Sequence, residues 1–250
     1  MLLEDRNAIV YGAGGIGRAV ARAFAREGAT VHIASRTRER VEALADEIRA
    51  AGGRAEAAQL DALDEAAVDA HADAVAAQAG SVDVSFNLIS VGDVQGTPLA
   101  EMAIEDFMRP IDIATRSTFL TARAAARHMI KQGSGVILTY GGTGDPMRDY
   151  FIGGFQIALG TAELLTKQLA AELGPHGVRA LTIVSGGVPE SIPEDFEGRD
   201  ALVESLVAPT MLGRTATFED VGNVAAFAAS DLARTMTATV LNTTCGAIVD

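Results

Sequence analysis

The sequence predicts an α/β fold in which a doubly wound parallel sheet of about seven strands carries helices on both faces. Short apolar runs alternate with helical patterns along the 250 residues. Parallel strands need crossover connections, which are usually helices, so this alternation favours a parallel sheet. The hydrophobic fraction of 48% is enough to build a large core.

Each element is assigned from the period of its apolar residues. Strand-like runs are expected at 7–11, 29–34, 54–60, 82–88, 134–140, 177–184 and 238–243. Helical spacing is expected over 15–28, 38–51, 64–79, 104–131, 151–174 and 218–231. Because α/β folds of this length are often one unit, a single domain spanning 1–250 is expected.

One segment, 186–212, interrupts the alternation with three prolines and many acidic residues. Long connections in compact domains are often functional, so this segment is the candidate for a lid or substrate loop. A surface insertion without a role is the alternative.

A glycine turn joins the first strand to the first helix. The turn reads Gly12-Ala13-Gly14-Gly15-Ile16-Gly17 and stands between an apolar strand and an amphipathic helix. Glycine permits the sharp turn and a close approach of the backbone, while the helix N-terminus offers free N–H groups to a pyrophosphate. We therefore expect Gly12, Gly14, Ile16 and Gly17 to bind a dinucleotide. A glycine-rich turn without a ligand is the alternative.

The end of the second strand indicates which dinucleotide is bound. An acid at this place would hold the ribose 2′-hydroxyl of NAD(H), whereas an arginine suits the 2′-phosphate of NADP(H). Ser35 and Arg36 stand there, and guanidinium groups match phosphate oxygens well. NADP(H) is therefore favoured over NAD(H), and Arg18 is a further candidate contact. The alternative is that Arg36, Arg38 and Arg40 are only a solvated helix start.

The third strand is followed by a carboxylate, Asp61. Ligands of open α/β sheets bind outside the carboxyl ends of the strands, so Asp61 is expected to accept a hydrogen bond from the adenine amino group. The alternative is that Asp61 only caps the helix that begins near Asp64.

With these features in place, the chain resembles the short-chain dehydrogenase/reductase family over nearly its whole length. The resemblance is carried by the segments AIVYGAGGIGRAVA, VHIASR, QLDALDEAAV, VDVSFN, TPLAEMAIEDF, GSGVILT, LLTKQLAAELGPHGVRA and FEDVGNVAAFAASDLA. It implies a Rossmann-like fold, a nicotinamide cofactor, reduction of carbonyls or oxidation of alcohols, and a dimer or tetramer.

Several family motifs are altered. The threonine before the glycine turn is replaced by Tyr11, and the turn is one residue shorter. The family's Asn-Asn-Ala-Gly motif retains only its first asparagine, Asn87, which the resemblance assigns to the cofactor site. The Pro-Gly after the sixth strand reads Ser185-Gly186.

The resemblance places apolar residues where the family has its catalytic groups. Counting back from the LAAEL segment puts Phe155 at the tyrosine and Leu159 at the lysine of the family's Tyr-x-x-x-Lys motif. The serine position falls on Gly142 or its neighbour Gly141, and the asparagine position falls on Ala114. A positioned acid contributes roughly 10²–10⁴-fold to catalysis, and Phe155 has no proton to give.

If the chain is a catalyst, a hydroxyl at another position would have to donate the proton that the family's tyrosine supplies. Tyr150 lies in the segment DPMRDY beside Asp145, Arg148 and Asp149, and the resemblance places this segment over the cleft. Tyr150 is therefore the candidate catalytic residue. Tyr140 ends the fifth strand, also at the cleft edge.

The composition limits the partners. A net charge of −13 argues against nucleic acid and anionic membranes. A single cysteine fits a reducing cytoplasm, and neither a signal peptide nor a bilayer-spanning run is apparent. The spacing of the four histidines suggests structural roles and no metal site.

The expected function is that of an NADP(H)-dependent oxidoreductase with displaced proton donation, or with donation assisted by substrate or water. Two alternatives remain: a non-catalytic nucleotide-binding sensor or scaffold, and a redox-neutral lyase or isomerase. Phe155, Ile157 and Leu159 are expected to form an apolar floor of the cleft, which favours an apolar small-molecule ligand. Helix 151–174 and the C-terminal segment resemble the family's subunit contacts, which favours a homo-oligomer.

Overall fold

A computed structural model describes residues 1–141 and 151–249. Its strands are β1 (Asn7–Tyr11), β2 (Thr30–Ser35), β3 (Arg54–Gln59), β4 (Val84–Asn87), β5 (Gly135–Gly141), β6 (Val178–Val184) and β7 (Val240–Asn242). Its helices are α1 (Gly15–Arg26), α2 (Arg38–Ala50), α3 (Glu65–Ala79), α4 (Ile104–Gln132), α5 (Phe155–Leu173), α6 (Arg199–Val207) and α7 (Phe218–Ala229).

The strands form one parallel sheet in the order β3-β2-β1-β4-β5-β6-β7. The predicted doubly wound sheet is therefore confirmed. Chain order reverses direction between β1 and β4, and Tyr11 at the end of β1 stands level with Ala34 and Asn87. The carboxyl ends of these strands border the crevice where such sheets bind ligands.

Side chains that alternate along the strands fill two separate cores. Val10, Phe86 and Leu138 pack under α1, α2 and α7, whereas their chain neighbours Ile9 and Ile137 pack under α3, α4 and α5. Strand residues that are adjacent in sequence point to opposite faces, and both faces of this sheet are covered by helices. The central strands are therefore almost continuously apolar.

The structure differs from the sequence expectation at the start of α5. This helix begins at Phe155 and not at 151, because Phe151 and Gly153 have positive φ angles of 46° and 56°, which are not helical. A Cβ at Gly154 would overlap the carbonyl oxygen of Phe107. The turn before α5 is therefore built for close approach to α4.

Segment 186–212 also contains more regular structure than its composition indicates. It holds a short 3-10 helix, Pro189–Ser191, and the helix α6. A Cβ at Gly187 would lie 2.9 Å from the Leu206 side chain, so α6 folds back onto the first residues of the segment. Whether the segment acts as a lid stays a prediction.

Three polar side chains are buried between the sheet and α3. The hydroxyl of Tyr11 and the Nε2 atoms of His32 and His71 are buried without a hydrogen-bond partner among the described residues. The Tyr11 and His71 rings meet edge to face at a centroid distance of 6.3 Å. Burial, together with the nearby His32, lowers the pKa of His71 to about 4. These histidines therefore pack as neutral side chains.

This burial predicts acid sensitivity of the fold. The pKa of His71 falls from its ordinary 6.5 to about 4 in the folded chain. Between pH 6.5 and pH 4, this histidine is therefore protonated in the unfolded chain and neutral in the folded chain. Stability is fully present above pH 6.5 and should fall by up to about 3 kcal/mol as the pH drops to 4. The His71→Gln variant should lose most of this pH dependence in urea unfolding measured at several pH values.

The control is His176→Gln, which changes an exposed histidine. An unfolding free energy that depends on pH equally in wild type and His71→Gln would contradict the assignment.

Candidate functional site

The glycine turn closes so tightly that two of its positions exclude any side chain. Gly12 has a φ of 117°, and a Cβ there would lie 2.5 Å from the carbonyl oxygen of Leu88. A Cβ at Gly17 would overlap the carbonyl oxygen of Gly12. The turn therefore lies directly against the end of β4, at the point where the strand order reverses.

The outer side of the same turn is open. Gly14 is the N-cap of α1, and a Cβ built there meets no heavy atom within 4 Å. No described side chain caps this helix, and its first turn holds no acid. The first backbone bond is donated by the Arg18 N–H to the Gly14 oxygen at 2.8 Å. The preceding N–H groups, from Gly15 to Gly17, therefore remain for an anion such as a pyrophosphate.

Phe218, the first residue of α7, packs against one side of the turn. A Cβ at Gly15 would overlap the Phe218 ring, and Gly222 lets α7 approach α1 closely, since a Cβ there would lie 2.9 Å from the Ala19 oxygen. The Phe218 N–H donates to the Glu190 carboxylate at 2.5 Å. The start of segment 186–212 is thus tied to the helix that borders the glycine turn.

On the β2 side, Arg36 presents an unpaired cation. Its side chain is exposed, and its guanidinium makes no hydrogen bond or ion pair with any described residue. Ser35 donates its hydroxyl to the Thr37 carbonyl at 3.3 Å. Arg36 is therefore available to an anionic group beyond the end of β2.

Arg18 does not share this freedom. Its guanidinium lies 2.9 Å from the Glu47 carboxylate on α2, which also pairs with Arg22. The hydrogen bond from Arg22 lowers the pKa of Glu47. The carboxylate therefore stays charged and forms ion pairs with both Arg18 and Arg22. The suggestion that Arg18 assists with a 2′-phosphate is thus at odds with the contact that the structure gives it.

Asp61 stands beyond the end of β3, as predicted. One of its carboxylate oxygens accepts the Leu63 N–H at 3.0 Å, and the side chain is exposed. The N-cap of α3 is Asp64, which accepts the Ala67 N–H at 3.1 Å. Asp61 is therefore not the helix cap, and its second oxygen stays open to a donor.

Asn87 ends β4 and joins it to α4. Its amide donates to the hydroxyls of Ser117 at 3.0 Å and Thr118 at 3.1 Å, while its carbonyl accepts the Ile89 N–H at 3.1 Å. Both hydrogens of the amide are therefore used inside the protein. Asn87 shapes the strand end, and any cofactor contact it makes would fall to its carbonyl oxygen or its backbone.

Of the positions that the resemblance assigns to catalysis, the structure describes three. Phe155 is half-buried at the first turn of α5, Leu159 is 9% exposed one turn later, and Ala114 is 5% exposed on α4. Phe155 and Leu159 share one face because four residues separate them. Gly142 and Tyr150, the candidate catalytic residue, lie outside the described residues.

The expectation that Ile157 joins Phe155 and Leu159 in one apolar floor is wrong. Ile157 is 48% exposed on α5. Residues two positions apart on a helix point in nearly opposite directions, so Ile157 cannot share a face with its two neighbours. The apolar surface on this face is therefore smaller than the sequence run suggests.

Two hydroxyl clusters stand at the ends of β5 and β6. The Thr139 hydroxyl is buried and bonded to Thr166 at 2.8 Å and to Thr182 at 3.0 Å, so it belongs to the core. The Tyr140 hydroxyl is hydrogen-bonded to Ser185. Burial raises the pKa of Tyr140, which stays protonated at neutral pH.

Sequence reasoning gave no role in the site to Ser185, Phe218 or Glu190. Ser185 follows β6 directly, and Tyr140 is the penultimate residue of β5. The carboxyl ends of neighbouring parallel strands meet at one edge, so this pairing was detectable once the strand order was known. The contacts of Phe218 and Glu190 join elements that are far apart in sequence, and no local pattern indicates them.

Within residues 1–141 and 151–249, His, Cys, Asp and Glu side chains form no group of three or more that is placed to hold a metal ion. None of the helices in that part of the chain is both long and apolar enough to cross a membrane. The open turn at α1 therefore remains the best-defined candidate site.

Comparison with known proteins gives a consistent result. A family model described as enoyl-(acyl carrier protein) reductase matches residues 12–247. The chain is 33% identical over 236 residues to the uncharacterized oxidoreductase YxbG of Bacillus subtilis, a match that covers 92% of this chain and 86% of that protein. It is also 33% identical over 236 residues to the D-threitol dehydrogenase of Mycolicibacterium smegmatis, with 92% and 88% covered.

A solved structure shares both fold and sequence. The short-chain type dehydrogenase/reductase from Mycobacterium ulcerans superimposes with a TM-score of 0.89 at 26% identity, covering 99% of this chain and 91% of that one. The family predicted from the motifs is confirmed by a family model that matches almost the whole chain and by a relative whose alignment covers 92% of it. The chain belongs to the short-chain dehydrogenase/reductase family of oxidoreductases.

Proposed function

We propose that this protein is an NADP(H)-dependent oxidoreductase in which proton donation does not use the family's tyrosine and lysine. The observation that carries the cofactor choice is Arg36, an unpaired guanidinium at the end of β2, where an acid would hold the ribose of NAD(H). Family membership implies a nicotinamide cofactor, and the unpaired Arg36 supports the phosphorylated form.

The residues at the glycine turn fit such a cofactor. The free N–H groups of α1 from Gly15 to Gly17 would hold the pyrophosphate, Arg36 the 2′-phosphate, and the open oxygen of Asp61 the adenine amino group. Gly14 leaves room for the phosphate oxygens because its Cβ position is empty. When bound, the cofactor supplies or accepts a hydride.

Proton movement must use other groups than Phe155, Leu159 and Ala114, because none of these side chains carries an ionisable or hydrogen-bonding atom. We assign the role to Tyr150, or to water and the substrate itself. Phe155 and the adjoining face of α5 favour an apolar small molecule. A substrate whose developing oxygen anion needs little help from an acid fits this site best.

A nucleotide-binding sensor or scaffold is the second candidate, and the apolar side chains at Ala114, Phe155 and Leu159 favour it. The relatives with stated activities, such as the D-threitol dehydrogenase, favour an oxidoreductase over both this reading and a redox-neutral lyase or isomerase. Fold alone does not decide, because function is set by the site.

We further propose that the chain assembles as a dimer or tetramer in a reducing cytoplasm. Exposed apolar side chains on the outer faces of α4 and α5 support self-association: Phe119 is 47% exposed, Ile157 48% and Leu164 68%. Ile157 and Leu164 lie seven residues apart and therefore form one stripe along α5.

The cofactor assignment predicts a selective effect of Arg36→Asp. Loss of charge-assisted hydrogen bonds to the 2′-phosphate should raise the Kd for NADPH by about 10- to 100-fold. The Kd for NADH should change much less, because NADH has no 2′-phosphate. Fluorescence titration with each dinucleotide measures both. Arg40→Asp, an equal charge change at a neighbouring exposed arginine, is the control. Equal losses for NADPH and NADH would refute the 2′-phosphate assignment.

Two glycines of the turn separate binding from folding. Gly14→Ala adds a methyl group that meets no protein atom, so the melting temperature should stay within a few degrees while NADPH binding weakens by tenfold or more, as roughly expected for a displaced phosphate. Gly17→Ala drives a methyl group into the Gly12 carbonyl and should destabilise the fold by about 1–3 kcal/mol. Unchanged binding by Gly14→Ala would place the pyrophosphate elsewhere.

The catalytic assignment predicts a gain from restoring the family's groups. The triple variant Gly142→Ser, Phe155→Tyr and Leu159→Lys should increase NADPH-dependent reduction of apolar ketones by about 10²-fold, because it returns a positioned acid. NADPH absorbance gives the rate, and Phe155→Tyr alone is the control that lacks the lysine. No gain in a variant that still binds NADPH would show that the nicotinamide lies differently from the family arrangement.

A further inference from the structure

The hydroxyls of Tyr140 and Ser185 form a pair at the carboxyl edge of the sheet. Tyr140 stands level with Ile183 on β6, and Ser185 follows the end of that strand. Their hydroxyls are hydrogen-bonded to each other across the ends of the two strands. The pair therefore borders the crevice in which open α/β sheets bind their ligands.

The pair lies on the nicotinamide side of that crevice. Arg36 and Asp61 follow β2 and β3, so the adenosine half of the proposed cofactor extends to that side of the glycine turn. The other half must then extend over the ends of β4, β5 and β6. The Tyr140 ring packs on the same core as Ile16 and Leu88, which flank the turn.

The pair has hydrogen-bonding capacity left over. Two hydroxyls bonded to each other use one O–H and leave the second O–H and several lone pairs. Neither Tyr140 nor Ser185 makes another side-chain hydrogen bond with the described residues. Ser185 is only half-buried and is followed by the exposed Gly186, so the chain at the end of β6 is open to solvent.

Other polar groups nearby are already used, as far as the structure describes the chain. Thr139 is bonded to two core threonines, and both amide hydrogens of Asn87 are donated to α4. Leu159 and Phe155 stand where the resemblance places the lysine and tyrosine, and their side chains form no hydrogen bonds. Among the residues of the ranges 1–141 and 151–249, the Tyr140–Ser185 pair is thus the polar group best placed for the second half of a dinucleotide.

We propose that the Tyr140–Ser185 pair binds the nicotinamide ribose of the cofactor through the Ser185 hydroxyl, with Tyr140 as the residue that positions Ser185. A ribose hydroxyl both donates and accepts, which matches the one O–H and the free lone pairs of the pair. The inference rests on the proposed cofactor, and it assigns that cofactor's second half to residues outside the family's tyrosine and lysine positions.

The test compares the whole cofactor with its adenosine half. Calorimetric titration measures the Kd of NADPH and of adenosine 2′,5′-diphosphate, which contains the 2′-phosphate but no nicotinamide ribose. Ser185→Ala should weaken NADPH binding by about 3- to 10-fold, the effect of one lost hydrogen bond, and leave the fragment unchanged. Tyr140→Phe should act in the same direction with a smaller effect.

Two control variants match these changes. Tyr11→Phe removes a buried tyrosine hydroxyl at the end of β1, on the other face of the sheet. Ser134→Ala removes a hydroxyl just before β5, at the opposite edge of the sheet. Neither should alter the Kd of NADPH or of the fragment.

The double variant Tyr140→Phe with Ser185→Ala distinguishes positioning from a purely structural role. If Tyr140 acts through Ser185, the double variant binds NADPH no more weakly than Ser185→Ala alone. Additive losses, equal losses for NADPH and the fragment, or an unchanged Kd for NADPH in Ser185→Ala would each overturn the inference. A wild-type protein that binds neither molecule would overturn the proposed function first, and the inference with it.

Discussion

The close approach of backbone to backbone at the glycine turn is the constraint on which the rest of the site depends. Gly12 lies against the Leu88 carbonyl, and Gly17 lies against Gly12 itself. These contacts set the start of α1 over the place where the strand order reverses. The free N–H groups of the helix are thereby directed into the crevice without help from any side chain. A site of this kind tolerates wide change elsewhere, because its donors belong to the backbone.

The same device fixes the elements around the turn. Gly15 receives the Phe218 ring, Gly222 admits the backbone of α1, and Gly154 fits against the Phe107 carbonyl. In each case an absent Cβ lets a neighbouring element approach within contact distance. The walls of the crevice are therefore positioned by packing, while the polar groups inside it are few. This division is consistent with the close match between the fold and a solved relative at only 26% sequence identity.

The sequence predicts those parts of the structure that local patterns encode. The strands and most helices follow from periodicity, and Arg36 and Asp61 follow from their place after a strand. Local patterns do not predict contacts between segments that are distant in sequence. The pairing of Arg18 with Glu47, the Tyr140–Ser185 hydrogen bond and the position of Phe218 are therefore seen only in the folded structure. The Ile157 error was avoidable, because helix geometry alone separates that residue from its neighbours. The helix α6 was not predicted, because its apolar pattern is short and is surrounded by prolines and acidic residues.

The two halves of the crevice differ in the positive charge that they offer to an anionic ligand. The chain carries a net charge of −13, so its overall field repels an anionic dinucleotide. Binding must then come from short-range, directed donors, and the α1 N-terminus and Arg36 are of this kind. The nicotinamide side has no comparable cation among the family positions, since Leu159 stands where the resemblance expects a lysine. The affinity for the proposed cofactor would therefore reside mainly in its adenosine half, whereas its nicotinamide half would depend on neutral hydrogen bonds. Among the described residues, the positions that the resemblance assigns to catalysis hold no acid or base, so the proposed reaction depends on the substrate and on other groups.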